Sequence, residues 1–478
     1  MGRMTCTPRG TTWRAPAAKA RLSPAACIFS PPRPLSPFPC PCNGPWLPFP
    51  LSSDFSSLSP ASAALAQHAL RAFEQVVGST SGFRRRPGQH QMAETVAATL
   101  AQADIGEHPN PTKAIAVIQA GTGVGKSAAY ASTAIAMALE RKTRVIISTA
   151  TVALQEQLMT KDLPALARSM DQPFAYALAK GRGRYVCKVK LERLVGSGAA
   201  EDDLFDDDLP QPKVSALSQE AIEERRQALY EGMAHKLAVA SWDGDRDNLA
   251  DTPDPRDWSA VAAERHTCTA RHCPRYKECS YYNARTKLAE ANVIVANHDL
   301  VLASLGMKTL PELDNCLVIF DEGHHLPAVA LDQFSNSMDL SNLRWLDRLP
   351  KAMTEVSGKL HLHLADDVNT LCSQLKSAIT QWARLAMDMV HQSTDRQDGT
   401  LRFANGVFPD ALHEPVAQIQ AQAAAIAKSL EALGAEIKAV AKDDPSQALM
   451  CAQLYAKLGP LAPRLGNTLA LSRSTALA

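Results

Sequence analysis

Two short stretches, far apart in the chain, carry side chains suited to work on a phosphate. The first is AGTGVGKS at 120–127: glycines at 121, 123 and 125, Thr122 among them, then Lys126 and Ser127. Glycines let the backbone fold tightly, so that its N–H groups point at phosphate oxygens. A lysine here reaches the β- and γ-phosphates, and a serine hydroxyl ligates Mg²⁺. The second is LVIFDEGHH at 317–325, where an apolar run ends on Asp321 and Glu322, followed by Gly323 and His324. One acid in such a place holds the Mg²⁺ shell, and the next polarises an attacking water. About 195 residues separate Lys126 from Asp321. Taken together, the two stretches predict a site that binds a nucleoside triphosphate with Mg²⁺ and hydrolyses it.

A third cluster has a different chemistry. CTARHCPRYKEC at 268–279 places Cys268, Cys273 and Cys279 at C-x4-C-x5-C. A disulfide, a zinc site and an iron–sulfur cluster are all open on the residues alone. Eleven cysteines in 478 residues is not the density of a disulfide scaffold. They also lie in unlike settings, which favours a reduced compartment with one metal-binding group. His266 and His272 are close enough in sequence to keep zinc in view, although these spacings are looser than the paired C-x2-C of zinc ribbons.

The elements around these stretches read as an α/β protein. AIAVIQA (114–120) predicts a buried strand before the glycine loop, and AAYASTAIAMALE predicts a helix after it. That helix would aim its positive N-terminal end at the anion. RVIISTA (144–150), NVIVANH (292–298) and CLVIFDEGHH (316–325) read as further strands of a parallel sheet. Residues 187–290 interrupt the pattern with an acidic run, EDDLFDDDLP (201–210), and with the cysteines. Residues 61–186 and 291–340 are thus two parts of one domain. Residues 341–478 turn helical and rich in alanine, and residues 1–60, rich in Pro, Ser and Ala, predict no packed structure.

Charge narrows the partners. The formal net charge is +1, but residues 1–53 hold six Lys/Arg and no acid, leaving 44 basic against 49 acidic residues in the rest. Any contact with nucleic acid in the body must therefore come from local basic patches. No stretch is long and apolar enough to span a membrane.

The ordered set IQAGTGVGKS, STATVALQEQL, GRGRYVC, VIVANHDLVLASL and VIFDEGHHLPAVA resembles the XPD-like iron–sulfur DNA helicases of superfamily two, well over residues 83–345 and loosely beyond. The resemblance implies a RecA-like P-loop motor domain with an inserted iron–sulfur domain and a mainly helical arch domain. It implies that Gln89, in RPGQHQM, reads adenine, and that Gly121, Thr122, Gly123, Gly125, Lys126 and Ser127 hold ATP. Ser127 and Asp321 would share Mg²⁺, and Asp321, Glu322, Gly323 and His324 would form a DEGH version of the DEAH box, with His324 relaying nucleotide state. Thr149 and Gln155 would lie in the segment that touches the DNA backbone. The family holds a [4Fe–4S] cluster on four cysteines, which adds Cys187 of GRGRYVC to Cys268, Cys273 and Cys279. Twelve Lys/Arg flank these ligands, from Lys180 to Arg193 and from Arg265 to Lys287, with Tyr185, Tyr276, Tyr281 and Tyr282 available for base stacking.

The resemblance leads one to expect a second RecA-like domain with arginine fingers, and no stretch of this sequence reads as one. The reading is therefore the nucleotide- and single-strand-binding half of an ATP-dependent 5′-to-3′ DNA helicase in repair and replication, poorly active alone. Forked or displaced-strand DNA and a separately encoded second helicase domain are the expected partners, and the nucleoid in the cytoplasm the expected place. The alternative is a non-motor, cluster-bearing module that binds single-stranded DNA.

Overall fold

A computed structural model describes residues 3–7, 10–14, 55, 57–79, 86–106, 112–121, 123–197, 219–307, 310, 313–340, 342–362, 367–392, 400–402, 409–459 and 461–476. The acidic run at 201–210 and Thr122 lie outside them. The first elements are strands β1 (Arg3–Thr7) and β2 (Gly10–Arg14), paired antiparallel. This corrects the expectation of an unstructured head. Apart from Pro8, the prolines that dominate its composition begin at Pro16, whereas RMTCT and GTTWR contain none and are rich in β-branched threonine.

Helices α1 (Pro60–Ser79) and α2 (Pro87–Gln102) come next, and then α3 (Lys126–Glu140). α1 buries Ala66, Ala69, Leu70, Phe73 and Val76, one helical stripe at i, i+3, i+4, i+7 and i+10. α3 is buried from Ala129 to Ala138. Its alanines let α1, α2 and the sheet close on it from several sides. That sheet comprises β3 (Arg144–Thr149), β4 (Tyr176–Leu178), β5 (Val293–Asn297) and β6 (Cys316–Phe320). The order is β4-β5-β3-β6, every pair parallel. β3 is buried from Val145 to Thr149 and β5 from Val293 to Ala296, because both faces of a parallel sheet are covered here.

The expected strand at 114–120 is a second correction. Residues 112–120 join no ladder, and Ile115 and Val117 are 85% and 95% exposed. A run apolar on both faces is a buried strand only if a neighbouring strand and covering layers exist, and among the described residues none pairs with it.

After β3 the chain forms α4 (Val152–Gln157) and α5 (Leu163–Ser169). The insertion contributes α6 (Lys188–Ser197), α7 (Gln219–Ala238), α8 (Pro255–Val261) and α9 (Ser280–Glu290). Its own small core includes Val186, Leu191, Tyr230, Trp242, Trp258 and Val261. Buried Asp257 pins α7 to α8 by accepting from Arg225 and Arg226. Beyond β5 lie α10 (His298–Met307), α11 (Leu326–Phe334) after β6, and β7 (Asn336–Asp339). Five helices follow: α12 (Arg344–Lys359), α13 (Val368–Gln392), α14 (His413–Asp443), α15 (Ala448–Leu458) and α16 (Leu461–Ala476). They pack around Leu346, Leu349, Met353, Leu375, Ile379 and Ile426. A short strand, β8 (Thr400–Arg402), joins β7, β1 and β2 in an antiparallel sheet ordered β7-β1-β2-β8. Among the described residues no helix is long and apolar enough to cross a membrane.

The helical region meets the cysteine-bearing insertion at Gly459, directly after α15. A Cβ there would overlap the main-chain carbonyl of His266 and come within 2.7 Å of the Thr267 Cα. Both atoms belong to backbone two residues or fewer before Cys268, so neither can swing aside. Gly459→Ala is expected to destabilise the fold by about 1–3 kcal/mol, seen as a lower urea midpoint. Gly466→Ala, where a Cβ would meet nothing within 4 Å, should leave the midpoint level or raise it. Equal effects at the two glycines would refute the close approach.

Candidate functional site

The glycine loop is built as its sequence requires. Gly123 and Gly125 have φ of 78° and 88°, a left-handed conformation that costs other residues energy. Gly125 caps the N-terminus of α3, which begins at Lys126. Two residues of α2 brace the loop from behind. Arg86, at the helix N-cap, donates to the carbonyl of Gly123. Gln89 donates through Nε2 to the carbonyl of Gly125 at 2.9 Å. Gln89 is thus buried beneath the loop rather than open to a base, and its Oε1 has no partner among the described residues.

Lys126 and Glu322 meet across the sheet. Lys126 Nζ lies 2.6 Å from Glu322 Oε1. The hydrogen bond and charge of Glu322 raise the lysine's pKa, and those of Lys126 lower the glutamate's. Both groups are therefore held in their charged forms. Glu322 sits in left-handed backbone at φ 55°, which turns the DEGH loop sharply off the end of β6. Asp321 is fixed by its main chain, whose N–H donates to the carbonyl of Ser148 at 2.8 Å. His324 is 67% exposed and places Nδ1 3.4 Å from Glu322 Oε2. Its ring stacks on that of His325, with centroids 4.1 Å apart.

Tyr130 belongs to this group, although motif reading passes over it. It lies one helical turn after Lys126, and its buried hydroxyl donates to Asp321 Oδ2 at 3.1 Å. The same hydroxyl interacts with Ser127. Burial, and then the charge of Asp321, drive its pKa far above the ordinary value, so it stays a hydrogen-bond donor. The phenol therefore bridges the two residues expected to share Mg²⁺. The i, i+4 spacing of Lys126 and Tyr130 was the available signal.

The segment after β3 departs from expectation. Thr149 and Gln155 are buried, Thr149 donating to the carbonyl of Thr151. Their side chains are turned inward, away from solvent. Thr151 is exposed instead, and it caps α4 by accepting from the N–H of Leu154.

Cys187, Cys268, Cys273 and Cys279 line one pocket. Two isolated β-bridges, Tyr185 with Asp245 and Val186 with Ala262, carry Cys187 to it. Main-chain N–H groups face the sulfurs: that of Ala270 donates to Cys268 Sγ at 3.3 Å, and those of Lys190 and Arg275 favour the thiolates of Cys187 and Cys273. Burial, and then the three other cysteines, push Cys273 up to about 11. Four free thiols with inward N–H donors fit a metal group that would supply the missing positive charge. Among the described residues, no three His, Cys, Asp or Glu side chains gather round a single ion position. His266 and His272 do not line the pocket.

The cations around the pocket divide into two sets. Lys180 pairs with Asp245 and Asp247, Arg184 with Asp247, Lys188 with Glu278, Lys190 with Glu264, and Arg275 with Glu192. Arg182 lies over the Tyr281 ring at 4.0 Å. These residues hold the insertion together. Arg265, Arg271, Lys277 and Lys287 are exposed to solvent. Tyr185 and Tyr281 are core residues, which corrects their assignment to base stacking, while half-buried Tyr276 and Tyr282 pack on each other at 4.5 Å.

The chain has recognisable relatives. The DEAD_2 family model matches residues 267–343, a span that contains three of the four pocket cysteines and the DEGH loop. The ATP-dependent DNA helicase DinG of Photobacterium profundum is 31% identical over 399 residues, covering 83% of this chain and 55% of that protein. DinG of Salmonella choleraesuis is 36% identical and DinG of Escherichia coli 34%, each match covering 70% of this chain and 45% of the relative. The chain spans about half the length of the curated relatives it matches. On these matches the chain is similar to the ATP-dependent DNA helicase DinG over about half of that protein's length.

Proposed function

We propose that this chain is the part of an ATP-dependent 5′-to-3′ DNA helicase that binds nucleotide and single-stranded DNA, acting on forked or displaced-strand DNA together with a second helicase domain. The observation that carries this reading is the Lys126–Glu322 contact, which joins two motifs 196 residues apart into one site. Lys126 would exchange the Glu322 carboxylate for phosphate oxygens of ATP. Glu322, released, would accept a proton from the water that attacks the γ-phosphorus, giving ADP and phosphate. Ser127 and Asp321 would hold Mg²⁺, which neutralises phosphate charge when bound, with Tyr130 keeping the two aligned. Gln89, buried behind the loop, would act on the nucleotide only through the glycine loop it braces. His324, exposed beside Glu322, would relay nucleotide state.

The four-cysteine pocket supports a [4Fe–4S] cluster on Cys187, Cys268, Cys273 and Cys279, a group larger than one ion. It would tie the loop at 182–187 to the loops at 268–279 and so fix the exposed cations against a DNA strand. A protein bound to the nucleoid would meet such a strand in the cytoplasm.

Lys126→Ala is expected to weaken binding of a Mg²⁺–ATP analogue at least about tenfold and to abolish DNA-stimulated hydrolysis. Tyr130→Phe should raise the Mg²⁺ needed for half-saturation by about tenfold, the worth of a hydrogen bond to a charged group. Wild-type affinity in Lys126→Ala would sink the nucleotide site. In anaerobically purified protein, Cys187→Ser or Cys273→Ser should remove iron and labile sulfide together, while His272→Ala keeps both; zinc without sulfide would replace the cluster with a different group. Arg271→Ala combined with Lys277→Ala should flatten the plot of log affinity for single-stranded DNA against log salt by about 1.4. An unchanged slope would move the DNA path elsewhere.

A further inference from the structure

Beneath the DEGH loop lies a buried polar pair that neither the glycine loop nor the cysteines explain. Ser148 Oγ and His298 Nδ1 are 2.7 Å apart, and both residues are essentially without solvent contact. They are 150 positions apart in sequence. Ser148 is the penultimate residue of β3, directly before the segment 149–155. His298 is the first residue of α10, directly after β5. The ring of His298 also packs against Phe320, the last residue of β6, with centroids 5.8 Å apart.

Both members of the pair reach the DEGH loop. The carbonyl of Ser148 accepts from the N–H of Asp321. The main chain of Glu322 interacts with the His298 ring. Even so, Nε2 of His298 is buried with no aligned hydrogen-bond partner among the described residues. A polar atom orphaned in such a place is costly, unless another arrangement of the same loop satisfies it. The loop has a reason to rearrange. Glu322 occupies left-handed backbone while Lys126 holds its carboxylate, and nucleotide binding would take Lys126 away.

Resting on the nucleotide-site reading above, we infer that His298 is a positioning residue that couples the two ligands of the motor, through Ser148 on the side of the DNA segment and through the Glu322 main chain on the side of ATP. Ser148 donates its hydroxyl proton to Nδ1, which fixes the ring as the Nε2–H tautomer. When Lys126 turns to phosphate, the Glu322 peptide relaxes and its carbonyl accepts from Nε2–H. A strand that pulls on residues 149–155 shifts Ser148, and with it the ring that supports Glu322. Coupling of this kind is reciprocal: DNA tightens nucleotide binding by the factor by which nucleotide tightens DNA binding.

The test is a binding cycle, which needs no turnover. Affinity for Mg²⁺–AMP-PNP is measured with and without an oligo-dT strand, for wild type, His298→Phe, His298→Gln and Ser148→Ala, with thermal melting of each. Wild type should show a ratio of about fivefold or more, within the usual range of such couplings. His298→Phe and Ser148→Ala should bring the ratio to nearly one. His298→Gln, whose amide both donates and accepts, should recover most of it. Wild-type coupling in His298→Phe and Ser148→Ala overturns the inference alone. So does a wild type that binds both ligands independently, or a loss that follows melting temperature across all three variants. A wild-type chain that binds no nucleotide, or no DNA, overturns the proposed function itself.

Discussion

A slip of one residue between β3 and β6 would dismantle the site. Their parallel register pairs Ser148 with Phe320, which puts Asp321 just past the end of the ladder, its N–H on the Ser148 carbonyl. From there Glu322 reaches Lys126, and Tyr130 reaches Asp321. Because side chains alternate along a strand, the slipped register would exchange the covered and uncovered faces of β6. The Lys126–Glu322 pair cannot set this register itself. Both side chains are partly exposed, and ion pairs in such settings contribute little to stability. The fully buried residues of β3 and β5 fix the geometry, and the ion pair records that the fixing succeeded.

The insertion follows a different logic. Its core is small, so much of its order comes from polar contacts between distant positions: Lys180 with Asp245, Lys190 with Glu264, Trp258 with the carbonyl of Gly183. A count of Lys and Arg in this region overstates the field a nucleic acid would feel, because many of those charges are spent on acids of the same domain. What remains for an outside partner is the smaller exposed set, on the cysteine loops and the last turn of α9.

The parts of this architecture that were legible in the sequence are local ones. The glycine loop, the DEGH loop and the parallel strands each declare themselves within ten residues, since one strand or one turn determines what they need. Fates decided by three-dimensional neighbours were not legible. Thr149 and Gln155 sit in a recognisable segment but face inward. Tyr185 and Tyr281 look like stacking rings and are core. Ser148 and His298 carry no motif, and only the sheet brings them together. The run at 114–120 differs from its sequence pattern for the same reason: its apolar character states what the segment requires, while the strand that would satisfy it must come from elsewhere.

That run has a practical consequence for the molecule as a colloid. Residues 114–120 hold seven positions without a charge or a proline, rich in β-branched side chains and open to water at Ile115 and Val117. Segments of this kind template strand addition between molecules. With a formal net charge of +1, there is little repulsion to keep two copies apart. This sticky run adjoins the loop meant for phosphate, so that self-association through it would start beside the proposed nucleotide site, and anything shielding the run protects both.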